Sequence, residues 1–190
     1  MEVIPMPKHS VGPRPVGVLA PSTRVLYSAL VHQLQGALPE PSRNAKFADH
    51  ESYGTSPEES RQYPWIIDID IVACYEYINH NILADELLLQ SLNEDAVSGL
   101  RRLLGELFPR GYGIPQSLKP SHQLADAYLD RITRGLLRHG YALHRYADDF
   151  RILARSLSDA QNALETAAEE ARRVGLALSS KKLDSEKRPT

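Results

Sequence analysis

The sequence predicts an α+β domain in which helices cover an antiparallel sheet. Residues 65–71 alternate apolar and acidic side chains towards their end, as a half-buried strand does. Residues 141–154 form two apolar stretches around an Ala-Asp-Asp turn, which is typical of a β-hairpin. Long segments of helical periodicity lie between and after these strands, and we expect them to form the covering layer.

Helix boundaries follow from apolar spacing and from breakers at the segment ends. A first helix should begin at Pro21 and end near Gly36, and further helices are predicted over residues 79–91, 94–108 and 118–139. A last helix is predicted over residues 157–174. The expected packing faces are Val25, Leu26, Ala29, Leu30 and Leu34 on the first helix, and Leu157, Ala160, Leu164, Ala167 and Ala168 on the last.

The remaining segments carry weaker patterns. Residues 1–20, rich in Pro and Gly, predict a hairpin or an irregular arm. Residues 39–64 form a long polar connection, and connections of that length are usually functional or mobile. Residues 176–179 predict a short strand, after which a basic tail closes the chain.

Composition excludes several classes of protein. Hydrophobic residues make up 42% and charged residues 24% of the 190 residues, so the chain is neither disordered nor fibrous. Its single cysteine, Cys74, excludes an internal disulfide and disfavours a structural zinc site. No apolar run approaches the roughly 20 residues that span a membrane. We therefore expect a soluble cytoplasmic protein without a membrane partner.

Charge is distributed unevenly along the chain. The formal net charge is −2, so the molecule as a whole does not attract nucleic acid. Residues 1–46 are nevertheless basic, and residues 47–95 are rich in acids. This asymmetry is compatible with a polyanion bound beside a metal site, and equally with a mixed surface on which the charges fall by chance.

Two acidic pairs are candidates for metal binding. Asp68 and Asp70 lie two residues apart on one strand, so both point to the same sheet face. Asp148 and Asp149 lie at the tip of an apolar hairpin, where they repel each other and call for a cation such as Mg²⁺. The alternative is a solvated turn, because Asp favours turns for reasons of its own.

Five segments, in order along the chain, resemble motifs of bacterial reverse transcriptases. Residues 145–150, Arg-Tyr-Ala-Asp-Asp-Phe, resemble the YADD box, which is the third palm motif of that family. Residues 70–80 resemble the first palm motif, and residues 113–129 resemble the second. Residues 7–15 resemble the fingers motif, and residues 175–182 resemble the fourth palm motif. The resemblance implies a right-hand polymerase palm with partial fingers.

The resemblance also divides the chain into regions. Residues 1–64 would form part of the fingers with an N-terminal hairpin or arm, and residues 65–80 the palm with the first motif. Residues 81–112 would be helices of the fingers, and residues 113–190 the palm with the other three motifs. No thumb is expected, so either the chain is a fragment of a larger protein, or a second protein chain or an RNA supplies the grip on the nucleic acid.

The same resemblance implies a metal site. Asp70, Asp148 and Asp149 would be the catalytic residues and metal ligands, and the backbone carbonyl of Ile71 would complete one coordination sphere. These groups would hold two Mg²⁺ ions, for which Mn²⁺ could substitute. Asp68 is expected to be a solvated acid or a member of an ion pair instead.

Five further residues are candidates for nucleotide binding. Lys8 and Arg14 would reach the β- and γ-phosphates, or else form a solvated basic arm. Tyr75 would lie beneath the incoming sugar and reject ribonucleotides, or else be a core tyrosine. Gln116 would contact the template or the nascent base pair. Lys182 would protonate the leaving pyrophosphate, or be a surface lysine.

The chain departs from the family pattern at two positions of the second motif. Ser117 replaces a glycine, so a side chain could crowd the templating base, and Asp126 stands where Asn is common. Neither change removes a carboxylate of the expected metal site.

The resemblance implies an RNA-directed DNA polymerase, a nucleotidyltransferase that adds dNTPs to a primer 3′-hydroxyl. Its partners would be an RNA template or a non-coding RNA, a DNA primer and product, and dNTPs. The compact size favours the abortive-infection and defence-associated groups or the retron type, hence a role in anti-phage defence. The alternative is a catalytically impaired palm that serves as a nucleic-acid-binding or assembly subunit.

Overall fold

The structure, a computed structural model, describes residues 2–6, 14–179 and 184–187. The chain divides into two compact units. The first unit comprises Met1–Pro39 and Tyr75–Tyr128, and the second comprises Glu40–Cys74 and Leu129–Thr190. The assignment of segments to fingers and palm regions stays a prediction.

Strands and helices occur in mixed order along the chain. The strands are β1 (Glu2–Met6), β2 (Arg14–Val18), β3 (Trp65–Asp70), β4 (Ala142–Tyr146), β5 (Asp149–Ala154) and β6 (Asp184–Lys187). The helices are α1 (Pro21–Leu34), α2 (Phe47–Ser52), α3 (Pro57–Gln62), α4 (Cys74–Tyr77), α5 (His80–Ser91), α6 (Glu94–Leu107), α7 (Lys119–Arg138) and α8 (Leu157–Arg173). Short 3-10 helices lie at Gln35–Ala37 and Ser42–Asn44. Among the described helices, none combines the length and the apolar character needed to cross a membrane.

The first unit contains a hairpin and a group of helices. Strands β1 and β2 pair antiparallel, which confirms the hairpin predicted near the N-terminus. Helix α6 packs against both α1 and α5. The predicted helices over residues 79–91 and 94–108 are confirmed as α5 and α6 to within one residue at each end.

The packing face predicted for α1 is largely wrong. The helix buries Tyr27, Val31 and Leu34, whose spacing of four and three residues places them on one side. Val25 and Leu26 are instead 69% and 51% exposed. Tyr27 takes the inner face because it buries more apolar area than Val25.

Tyr27 can be buried because its hydroxyl has a partner. Its oxygen lies 2.8 Å from Oγ of Ser121 on α7, and both side chains are fully buried. Burial raises the pKa of the Tyr27 hydroxyl, so the group stays protonated and can donate this bond.

The second unit is built on a four-stranded antiparallel sheet with the strand order β4-β5-β3-β6. The predicted strand at residues 65–71 and the predicted hairpin at residues 141–154 are confirmed as β3 and as β4 with β5. Helix α8 packs against β3 and β5. A helix-covered antiparallel sheet is the predicted α+β architecture.

Helix α8 meets the sheet through small side chains. Its buried residues include Ala160, Ala163, Ala167 and Ala171. The predicted face is wrong in part, because Leu157 is 48% exposed. Alanines allow the helix to lie close to the strands, so the buried stripe follows these small residues and not the leucines.

Cross-strand register separates the two faces of the sheet, because directly opposed residues point to the same side. Ile69 pairs with Phe150 and Ile67 with Ile152, and these four side chains are buried. On the other face Asp70 pairs with Asp149, which also pairs with Tyr146 of β4. The next row on this face consists of Asp68, Arg151 and His144.

Two segments differ from the predicted organisation. Residues 39–64, expected to be a loop connection, contain a 3-10 helix, α2 and α3. Helix α3 begins with a capping box between Ser56 and Glu59. Residues 176–179 do not form the predicted strand, since only Leu178 makes a bridge, to Ile71.

Strand β6 lies where the sequence predicted only a basic tail, and it pairs with β3. Its four residues are all polar, so neither alternation nor an apolar run marks it in the sequence. The edge of β3 offers backbone groups to hydrogen-bond, and that is sufficient to define a strand.

Candidate active site

Three candidate carboxylates lie at strand ends in the second unit. Asp70 ends β3, Asp149 begins β5 directly opposite, and Asp148 lies in the two-residue turn between β4 and β5. Like charges directly opposite each other destabilise a sheet. The pairing of Asp70 with Asp149 therefore makes these strand ends a candidate cation site.

The donor chemistry of these groups suits a hard cation, which takes oxygen ligands. In the described part of the chain, however, no three His, Cys, Asp or Glu side chains form a group that could hold a metal ion. Asp148 is engaged elsewhere, since its Oδ1 lies 3.7 Å from a terminal nitrogen of Arg43. Ile71, whose carbonyl was an expected ligand, is buried opposite Leu178, and the hydrogen bonds that flank this bridge use the backbone of Asp70 and Val72.

The turn that carries Asp148 has a strained backbone. Ala147 has φ of +56°, in the left-handed region, where a residue with a Cβ costs about 1–2 kcal/mol. In two-residue hairpins this position is usually filled by glycine or asparagine. Two hydrogen bonds hold Ala147: its amide donates to Oγ of Ser42 at 2.8 Å, and its carbonyl accepts from Arg145 at 2.9 Å.

Arg145 reaches the turn from the neighbouring strand. Its Nε donates to Oγ1 of Thr133 on α7 at 3.2 Å, and its guanidinium carbon lies 5.9 Å from the centre of the Phe150 ring. Its Nη1 also lies 3.5 Å from Oγ of Ser42. Arg145 is thus part of a network that contacts both sides of the turn.

Asp68 and Asp70, which point to the same face of the sheet, have different partners. Asp68 forms a two-pronged ion pair with Arg151, with nitrogen to oxygen distances of 2.7 and 2.8 Å. The hydrogen bond to Asp68 raises the pKa of Arg151. Arg151 also donates to the carbonyls of His50 and Glu51, which joins α2 to the sheet. The ion-pair role expected for Asp68 is the one that the structure shows.

A pair of histidines borders the same face of the sheet. Nδ1 of His50 lies 3.1 Å from Nδ1 of His144, so one ring must donate a proton and the other must accept it. Burial lowers the pKa of both residues. The ring of Phe47 meets the ring of Tyr146 edge-on, with centroids 5.1 Å apart.

Two sequence-predicted residues belong to the first unit. Tyr75 is half-buried, and its hydroxyl lies 2.6 Å from Nδ1 of His122. Gln116 donates to Glu76 at 3.5 Å. Ser117, which follows Gln116, has φ of +62°. The glycine that the family carries at this position adopts such a conformation without strain, whereas serine does not.

The remaining predicted residues are only partly described. Lys8 and Lys182 lie outside the described residues. Arg14 begins β2 opposite Met6, and only its backbone is described. Their proposed contacts with phosphate stay predictions.

Sequence reasoning missed the residues that support the turn and its surroundings. Ser42 and Arg43 lie in the polar connection, and no motif marks either of them. His50 and His144 are 94 residues apart in the chain. The length of the connection was the only available signal that it carries functional residues.

The α+β fold, with an antiparallel sheet backed by helices, is the architecture expected for the palm and part of the fingers of a right-hand polymerase. The chain belongs to the reverse transcriptase (RNA-dependent DNA polymerase) family, whose profile matches residues 6–189. The reverse transcriptase family expected from the motifs is thereby confirmed, as is the α+β fold class, while the bacterial, YADD-type subgroup stays a prediction.

Solved telomerase structures share the fold. The telomerase of Candida albicans, in complex with a TWJ fragment of telomeric RNA, has a TM-score of 0.54 and 13% identity. The match covers 89% of this chain and 34% of that one. The apo telomerase of Candida tropicalis, truncated from its C-terminal domain, has a TM-score of 0.53 and 10% identity, covering 89% and 40%. No curated protein matches the chain.

Proposed function

We propose that this chain carries the catalytic centre of an RNA-directed DNA polymerase that adds dNTPs to a primer 3′-hydroxyl. The observation that carries the proposal is the pairing of Asp70 with Asp149, next to Asp148, in a member of the reverse transcriptase family. Like charges opposed across two strands repel each other, and a bound cation would relieve that repulsion. Metal-assisted nucleotidyl transfer uses two metal ions.

Asp70, Asp148 and Asp149, with the carbonyl of Ile71, would hold the two Mg²⁺ ions or Mn²⁺ in their place. When bound, such ions activate the attacking hydroxyl and stabilise the leaving pyrophosphate. The part of this chain is to hold its carboxylates at two adjoining strand ends. Asp148 would exchange its contact with Arg43 for a metal contact, so that three carboxylates converge.

Tyr75 would select deoxynucleotides by occupying the space that a 2′-hydroxyl needs. A residue that excludes by size must be rigid. The 2.6 Å contact of its hydroxyl with His122, whose ring lies edge-on to the tyrosine ring, supports this role. Gln116 would contact the template or the nascent pair from the turn before α7.

The basic residues would act on the triphosphate. Lys8 and Arg14 would bind the β- and γ-phosphates, and Lys182 would protonate pyrophosphate as it leaves. The partners would be an RNA template or a non-coding RNA, a DNA primer and a second chain that supplies a thumb. The RNA bound to the Candida albicans telomerase supports an RNA partner for this fold. A cytoplasmic role in anti-phage defence is part of the proposal.

Primer extension tests this function. The purified chain, with poly(rA)/oligo(dT), labelled dTTP and Mg²⁺, should extend the primer, and Asp148→Asn or Asp149→Asn should abolish extension. Asp130→Asn is the matched control, because Asp130 lies on α7 in the same unit but away from the three carboxylates in sequence. Its carboxylate forms an ion pair with Arg134 one helical turn further on, at 3.4 Å. An inert wild type that still retains RNA would favour the alternative, a binding or assembly subunit.

A further inference from the structure

The two peptide groups on either side of Ala147 are both held by side chains. Ser42 accepts a hydrogen bond from the Ala147 amide, which belongs to the peptide shared with Tyr146. Arg145 donates to the Ala147 carbonyl, which belongs to the peptide shared with Asp148. With both peptide planes fixed, φ and ψ of Ala147 are fixed as well.

These two side chains hold a conformation that alanine does not adopt by itself. The φ of +56° lies in a region that glycine visits readily and other residues avoid. Ala147 is buried, so water could not easily take the place of Ser42 or Arg145 if either hydrogen bond were removed. The hydrogen bonds from Ser42 and Arg145 therefore select this turn over a relaxed alternative.

The anchors are themselves well supported. Arg145 is fixed by Thr133 at 3.2 Å and by the ring of Phe150, which is fully buried. Ser42 lies in the 3-10 helix Ser42–Asn44, which packs against β4. Strained backbone persists only where its surroundings over-determine it, and this turn meets that condition.

We propose that Ser42 and Arg145 are positioning residues, which hold the Ala147 peptides so that the carboxylates of Asp148 and Asp149 point to the cation site. Asp148 follows the held peptide directly, so a rotation of that peptide would redirect its side chain. The inference rests on the proposed function, since it concerns the geometry of the same carboxylates. It assigns a role to a serine in a segment that carries no recognised motif.

The first test compares Ser42→Ala with Ser42→Thr, which retains a hydroxyl. We expect Ser42→Ala to speed hydrogen exchange of the Ala147 amide about tenfold and to weaken Mn²⁺ binding several-fold. In primer extension it should lower kcat about 10- to 100-fold with little change in KM for dTTP, as misplaced catalytic groups do. Ser42→Thr should keep amide exchange, Mn²⁺ affinity and kcat close to the wild-type values, because its hydroxyl can still accept the hydrogen bond.

Ser52→Ala is the matched control, because Ser52 is an exposed residue of the same unit whose hydroxyl donates to the nearby carbonyl of Asp49. Unchanged amide exchange and unchanged Mn²⁺ affinity in Ser42→Ala would overturn the proposal. Both measurements are made without polymerisation. Altered exchange and Mn²⁺ affinity in a chain that never extends a primer would therefore support the positioning role while rejecting the polymerase.

A double-mutant cycle covers the case in which Ser42→Ala folds poorly. Ala147→Gly removes the strain that the anchors oppose, so Ser42→Ala should lower the melting temperature less on the Ala147→Gly background than on the wild type. Additive shifts in melting temperature would show that Ser42 does not hold the turn, and would overturn the inference.

Discussion

Arg43 and Asp148 form an ion pair across 3.7 Å at the turn between β4 and β5. Both side chains are about one third exposed, at 37% and 33%, so the pair is accessible to salt and to competing cations. The guanidinium carbon of Arg43 also lies 6.0 Å from the centre of the Tyr146 ring. A positive charge of the protein thus neutralises one carboxylate of the proposed metal site.

Arg43→Gln should therefore tighten Mn²⁺ binding, because the metal no longer displaces a resident charge from Asp148. Exposed ion pairs contribute up to about 1 kcal/mol, so we expect a change of at most about fivefold. Electron paramagnetic resonance of free Mn²⁺ measures the dissociation constant. The difference should shrink at high salt. Arg172→Gln, at an exposed position of α8, is the control, and equal or weaker Mn²⁺ affinity in Arg43→Gln would contradict the prediction.

Asp68 and Asp70 should respond differently to the same substitution. Asp68→Asn breaks the ion pair with Arg151, which is partly exposed, so we expect a loss of about 1 kcal/mol in unfolding free energy with extension retained. Asp70→Asn should abolish extension without such a loss. Urea denaturation and primer extension distinguish the two. Loss of activity in a folded Asp68→Asn variant would show that the wrong acid had been assigned to the metal.

Ser117→Gly should stabilise the first unit, because φ of +62° costs serine about 1–2 kcal/mol that glycine does not incur. Greater freedom in the unfolded state offsets part of this gain, so we expect a net increase of about 0.5–1 kcal/mol. Thermal melting measures it. Ser117→Ala is the control, since it removes the hydroxyl and keeps the strain. Equal stability of the two variants would refute this explanation.

Tyr75→Ala should let the polymerase accept ribonucleotides. The loss of the ring leaves room for a 2′-hydroxyl, so kcat/KM for UTP should rise towards that for dTTP. Tyr75→Phe separates size from hydrogen bonding, because it keeps the ring and loses only the 2.6 Å contact with His122. It should retain most of the discrimination. If the Tyr75→Ala variant still rejects UTP, Tyr75 does not select the sugar and has only a structural role.

The pair of His50 and His144 should make the second unit sensitive to acid. Burial lowers both pKa values, so the unfolded chain, with pKa near 6.5, takes up protons before the folded one. The stability is complete above about pH 6.5 and is lost as pH falls below that value towards the folded pKa values. The free energy of unfolding can change by at most about 1.4 kcal/mol per pH unit for each proton that the unfolded chain binds in excess of the folded one.

Melting temperatures between pH 5 and 8 measure this dependence. His144→Gln should flatten it, because only one titrating ring remains. His139→Gln is the control, since His139 is half-exposed on the surface. Neighbouring charges modulate the two pKa values without reversing their direction: Arg151, Asp149 and Asp68 around His50, and Asp49 and Arg151 around His144. An unchanged slope in His144→Gln would place the acid sensitivity elsewhere, for instance at His80.

The elements with strong local signals could be predicted from the sequence. β3, the hairpin of β4 and β5, and the long helices have apolar periodicity and clear breakers, so their bounds fall within a few residues of those expected. The opposition of Asp70 and Asp149 follows once the strands are paired. Predictions of the buried face were poorer, because periodicity alone did not separate the stripe containing Val25 from the one containing Tyr27.

Contacts between distant segments could not be predicted. Ser42 meets Ala147 across 105 positions of sequence, and His50 meets His144 across 94. Each contact depends on where a short helix packs on the sheet, and neither spacing nor composition specifies that. The polar strand β6 could not be predicted for a related reason. Its pairing with β3 depends on backbone groups, which every sequence carries.

The bond between Ser42 and the hairpin turn has a consequence for the order of folding. Strands β4 and β5 are joined by a short turn and can pair early, whereas Ser42, one of the two residues that hold this turn, lies 105 positions away. Long-range contacts incur loop-closure entropy first, so the hairpin should form before its tip is set. We therefore expect the hairpin of β4 and β5 to form first, and its turn to reach the native conformation only after the segment around Ser42 has packed against it.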